Sequence, residues 1–142
     1  MTTQTPAGAV EGEAPAPAVN TLRTWTLDLP WTKPPLTLNG RMHWREKADT
    51  VKAVRYAACV LARAAGIPPL GRIAVELHYA PRDSRVRDAP NLVATLKPFE
   101  DGIVDAGCVP GDDGRYVCSP MPVLDPPTGS AGRLYVIVRE LS

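Results

Sequence analysis

RIAVELHYAPRDSRVRDAPNL, residues 72 to 92, decides how the chain is read. In its first part Ile73, Val75, Leu77 and Tyr79 fall on one side, and Ala74, Glu76 and His78 on the other. A period of two predicts a strand with one face on a core. Glu76 and His78 are then either a solvent-facing pair on a one-sided sheet or polar groups turned toward a site at the strand's end. Pro81 stops the strand, and the loop 81–88 places Arg82, Arg85 and Arg87 just before Asp88. Beyond Asn91, the run NLVATLKPFEDGIVDAG predicts a helix ending at Gly107. Pro98 interrupts it, by a kink near Lys97 or by a fresh helix with Pro98 in its first turn.

Upstream, residues 23–29 alternate Trp25, Leu27 and Leu29 with polar neighbours, a further strand that Pro30, Pro34 and Pro35 close. LTLNGRMHWREK, residues 36 to 47, reads as a loop that turns at Asn39 and Gly40 and opens into a helix. From about Glu46 to Ala65 the helical period takes over, with Val51, Val54, Ala58, Leu61 and Ala65 on one face. Gly66 follows as a left-handed cap, before Pro68 and Pro69. Downstream, residues 115–124 and 132–139 predict two more strands, the last with Leu134, Val136 and Val138 facing inward. The expected fold is a small single α+β domain, a mixed or antiparallel sheet of about four strands packed by two main helices. It occupies residues 22–142. Residues 1–21, rich in Ala, Pro, Gly and Thr, read as a disordered tail.

A length of 142 residues suffices for one core and therefore one site. Cys59, Cys108 and Cys118 are odd in number and lack CxxC spacing, which argues against a disulfide framework and a structural zinc site and fits a reducing cytoplasm. Neither a membrane-spanning run nor a secretory signal is found. The net charge of +1 conceals an uneven distribution. Residues 22–97 carry thirteen Lys and Arg against six Asp and Glu, whereas residues 98–142 carry three against seven. Cations concentrate between Arg41 and Arg63, with Arg45, Lys47, Lys52 and Arg55 between them. This is either a phosphate-contacting surface or the solvated face of a helix.

Two acidic positions draw attention: Asp88, at the end of the arginine loop, and Asp112 with Asp113, in VPGDDG. Carboxylates from separate loops are the usual holders of Mg²⁺, which takes hard oxygen ligands and can activate water for phosphodiester cleavage. Each also has an ordinary reading. Asp88 suits a helix N-cap, and Asp112 with Asp113 between glycines is common turn chemistry.

The ordered series LTLNGRMHW, a helix, a strand ending LHYAP, an Arg-rich loop with RDxxNL, Lys followed by EDGIVDAG, VPGDDG, SPMPV and GRLYVIV resembles the RusA family of Holliday-junction resolvases, in the form carried by phages and prophages. The resemblance runs from about residue 25 to residue 140. It implies a homodimeric endonuclease that resolves four-way DNA junctions in recombination and repair, with Mg²⁺ or Mn²⁺ bound by aspartates, acting in the cytoplasm of a bacterial host. The family's first motif aspartate falls on Asp88 and its asparagine on Asn91. Its later catalytic aspartate falls on Asp112, with Asp113 one place beyond, and its lysine on Lys97. On this reading Asp88, Asp112 and Lys97 are catalytic, and Asp88, Asp112 and Asp113 hold the metal. Arg41, His43, Arg45, Lys52, Arg55, Arg85, Arg87 and Asn91 contact DNA. No membrane partner is implied.

The chain departs from the family at Pro90, where the family has its second motif aspartate. Proline offers no oxygen to a metal, and its fixed φ suits the first turn of a helix. Asp113, Asp83 and Glu76 are the carboxylates left to compensate. A second expectation follows: a protein that binds branched DNA on the same scaffold without cutting it. A third is a structural α+β protein with no affinity for nucleic acid.

Overall fold

A computed structural model describes residues 21–141 of the chain. The tail expected over residues 1–21 lies outside them except for Thr21, which opens the first strand. Five strands and two helices follow one another as β1 (Thr21–Asp28), α1 (Trp44–Ala64), β2 (Ile73–Ala80), a 3₁₀ turn (Ala89–Leu92), α2 (Val93–Asp105), β3 (Val117–Cys118), β4 (Val123–Leu124) and β5 (Arg133–Leu141). β5 lies between β1 and β2 and is antiparallel to both, while β3 and β4 run parallel to opposite ends of β2. The sheet is therefore mixed, and the fold is α+β as expected. The segment expected as one strand over 115–124 is two short pieces in one lane, because Pro120 and Pro122 between them have no N–H to give the ladder.

Both helices cover the same face of the sheet. Ile73, Val75, Leu77 and Tyr79 from β2 and Leu134, Val136 and Val138 from β5 are buried there with Leu27 and Leu29. From α1 the buried residues are Val54, Ala58 and Ala62, with Val51 and Leu61 half-buried; Ala65, expected inside, is exposed as the C-cap. Both helices end in the same motif. Gly66 (φ 73°) and Gly107 (φ 84°) take the left-handed conformation. The next N–H reaches back to the Ala62 carbonyl at 3.2 Å in α1 and to the Ile103 carbonyl at 3.4 Å in α2.

α2 is continuous across Pro98 and does not start afresh there. The missing Pro98 N–H costs one helical hydrogen bond, but the ring is buried, and burial of its apolar surface offsets part of that loss. At Gly102 the two helices touch backbone to side chain. A Cβ there would lie 2.2 Å from the Arg55 carbonyl oxygen and 2.5 Å from the Ala58 Cβ, so only glycine permits the crossing. The loop before α1 is fastened to the other end of α2. The buried Thr95 hydroxyl donates to the Leu36 carbonyl at 2.7 Å and accepts from its N–H at 3.3 Å, while the Leu38 N–H donates to the Asn91 carbonyl at 3.3 Å. Those bonds bring the residues before α1 to the turn that carries Asp88 and Asn91.

Candidate nucleic-acid interface

The loop after β2 folds around one carboxylate. Arg87 reaches the Asp83 carboxylate at 2.9 Å and donates to the carbonyls of Asp83 at 2.9 Å and Arg85 at 2.8 Å. The Arg85 N–H and guanidinium also meet Asp83, at 3.1 and 3.3 Å. Hydrogen bonds from Arg87, then from the Arg85 backbone, hold the Asp83 carboxyl well below the usual carboxylate range. The two arginines expected to contact DNA thus differ. Arg87, half-buried and 5.9 Å from the Tyr79 ring centre, shapes the loop, whereas the Arg85 side chain is 75% exposed.

This loop forms one wall of a cleft of about 720 Å³, lined by Lys33, Tyr79, Arg82, Arg85, Arg87, Asp88 and Asn91 among others. The lining also includes Thr32, Ala131 and Gly132, and Gly132 lies against Thr32. A Cβ on Gly132 would fall 2.1 Å from the Thr32 carbonyl, so the close approach requires glycine. Lys33 and Gly132 were not marked by the sequence, because the cleft joins them to the arginine loop across long separations.

Asp88 sits on the cleft wall, extended (φ −112°, ψ 122°) and exposed. Asp88 stands at the N-cap position as expected, but its side chain makes no capping hydrogen bond. The turn is closed by backbone instead, Asn91 N–H to Asp88 carbonyl at 3.1 Å. Among the described residues the Asp88 carboxylate makes no ion pair. Pro90 is exposed in the 3₁₀ turn, where its fixed φ fits.

Lys97, on α2, forms a second cluster. Its ammonium pairs with Asp112 and, 3.3 Å away, with Asp101 one turn along the helix. The hydrogen bond from Lys97 lowers the Asp112 carboxyl, and the same bond raises the Lys97 ammonium. Glu100 beside them is only 5% exposed; burial pushes its carboxyl up, and the Ser119 hydroxyl donates to it. Asp113 turns away to Arg115, whose side-chain and backbone N–H groups bring its carboxyl down to about 2. Asp88, Asp112 and Asp113 therefore have three different surroundings. Among the described residues no three His, Cys, Asp or Glu side chains come together as a metal-binding group. As placed, the donors do not fit Mg²⁺, which needs several oxygens in near-octahedral geometry.

The remaining expected contacts divide as well. Arg55 is committed to Asp105 through two bonds of 2.6 and 2.8 Å, and is better described as tying α1 to the end of α2. Arg41, His43, Arg45 and Lys52 are exposed, in or near the start of α1. Glu76 and His78 lie on the uncovered face of the sheet, half-buried in a network that the sequence did not reveal. The His78 ring lies 2.7 Å from Glu76 and 3.1 Å from Asp125, and stacks on Tyr135 at 4.8 Å between ring centres. Burial and then the bond to Asp125 push the Tyr135 hydroxyl up to about 12. Glu76 and Asp83 thus have partners of their own and do not reach Asp88.

No protein-family profile matches the chain. An uncharacterized protein of Xylella fastidiosa strain Temecula1 is 33% identical over 122 residues, covering 82% of this chain and 77% of that protein. The chain belongs to the family of that protein. The name of the Xylella relative carries no activity. No helix among the described residues is long and apolar enough to cross a membrane.

Proposed function

We propose that the chain acts on branched DNA as a RusA-like junction endonuclease, with two copies engaging a four-way junction. The observation that carries this reading is the cleft, whose walls present Lys33, Arg82, Arg85 and Arg87 around the unpaired Asp88 and Asn91. An excess of cations in a groove draws in a phosphate backbone and releases its counterions, so affinity falls steeply with salt. Such contacts carry no sequence information, and preference for a junction comes from shape and from how two copies are spaced. The motif order that resembles the RusA family supports the same reading, in the cytoplasm of a bacterial host; the family's hydrolysis uses Mg²⁺ or Mn²⁺ and its motif positions fall on Asp88, Asp112 and Lys97, but Asp88 stands apart from the Lys97–Asp112 pair, and the carboxylates as placed do not make that metal site.

One observation favours a second reading, binding without cleavage. Pro90 supplies no oxygen, and Asp112 and Asp113 are engaged with Lys97 and Arg115 rather than with Asp88. A gel shift on a synthetic mobile junction in EDTA, beside a cleavage assay with Mg²⁺ or Mn²⁺, separates the readings. Nicking by the natural protein supports the endonuclease. Tight binding without nicking, with nicking gained by Pro90→Asp, supports the binder; equal weak retention of junction and duplex rejects both.

A further inference from the structure

Trp44 opens α1 with 67% of its surface exposed, an unusual place for the largest apolar side chain. The other two tryptophans, Trp25 and Trp31, pack against the core. The Trp44 ring lies beside the His43 imidazole, with ring centres 5.6 Å apart and planes 28° apart, and the Arg45 guanidinium is 5.0 Å from its centre. The ledge is held in place from below. Met42 packs against the core and meets the Thr50 hydroxyl at 3.8 Å, and His43 Nδ1 accepts the Arg45 N–H at 3.2 Å. Through Leu36 and Leu38 the same segment is fastened to Thr95 and Asn91, so the ledge and the cleft belong to one framework.

We propose that Trp44 is a stacking platform for an unpaired base at the branch point of DNA, with His43 extending the stack and Arg45 serving the adjacent phosphate. The proposal rests on the branched-DNA reading above and adds what phosphate contacts lack, a means of telling an open branch from a continuous duplex. Every base has a π-face, so a tryptophan accepts any of them. In a continuous duplex those faces are covered by neighbouring base pairs; at a branch they can open. Arginine beside the ring supplies the charge that such sites combine with stacking.

The test uses a four-way junction with 2-aminopurine beside the branch, titrated with the full chain and with Trp44→Leu and Trp44→Phe, next to a linear duplex of the same sequence. Binding of the natural protein is expected to change the 2-aminopurine emission. Trp44→Leu loses that change and binds the junction about tenfold more weakly, while duplex affinity and melting temperature stay as they were; Trp44→Phe restores most of both signals. Undiminished junction binding and emission change in Trp44→Leu overturn the platform alone. So does an equal loss on junction and duplex, which makes Trp44 a support of the loop. Failure of the natural protein to retain any branched DNA overturns the parent reading, and the platform with it.

Discussion

The arginine cleft and the Lys97 cluster adjoin the same helix and use their charges in opposite ways. At the cleft, Asp83 organises the loop from behind, yet Lys33, Arg82 and Arg85 still outnumber the single carboxylate on the walls, Asp88. At the cluster, Lys97 sits between Asp101 and Asp112, and each ionised group already has its opposite. A phosphate entering the cleft meets Lys33, which has no ion pair among the described residues, and Arg82, Arg85 and Arg87, three guanidiniums that share the one Asp83 carboxylate at 3.7, 3.3 and 2.9 Å. A phosphate or cation entering the cluster must first break a pair. On the proposed reading, the cleft is suited to gripping a phosphate backbone, and the cluster is not arranged to react with it.

The hardest way to break the comparison is through Gly102, which sets α2 against α1. Gly102→Val drives a side chain into the Arg55 carbonyl and Ala58, and a stability loss on the order of 3 kcal/mol is expected in urea unfolding. A near-natural midpoint would show that the helices part easily there. Next in size, Arg82→Ala with Arg85→Ala should weaken junction binding tenfold or more. It should also flatten the slope of log affinity against log salt by about two, one for each phosphate contact removed. An unchanged slope would put the backbone elsewhere.

The smallest effect sharpens the cluster's side of the contrast. Burial raises the Glu100 carboxyl above its ordinary value of 4.5. A group raised in the folded state contributes most below its unfolded value and loses that contribution as pH climbs through the folded one. Glu100→Gln should therefore melt a few degrees above the natural protein at neutral and alkaline pH, with the two converging toward pH 4.5. A constant difference across that range would show that the carboxylate's ionisation is not what separates them.

Local pattern made much of the fold legible. The alternation in β2 and β5, the helical period of α1, and the glycines that end both helices all stand where the residues put them, since each depends on near neighbours. What the sequence did not show depended on distant residues. The ion pair of Arg55 was hidden because its partner, Asp105, comes from the other helix. Asp88 takes the N-cap position, but nothing in RDAPNL says that the Asn91 N–H will close the turn through backbone. The pair of Lys97 with Asp101 is visible as a spacing of four, whereas the addition of Asp112 needs the loop after α2 to fold back. Pro120 and Pro122 were in plain sight, and the continuous strand expected across them gave too little weight to the two missing donors.

Those two prolines also bear on assembly. A sheet edge with an unbroken row of N–H and C=O groups invites another strand to zip onto it. The lane formed by β3 and β4 is interrupted where Pro120 and Pro122 stand, so it offers a newcomer only fragments of a ladder. On that flank the molecule is protected against adding to itself strand by strand. Strand-by-strand pairing of two copies is left to the β1 flank.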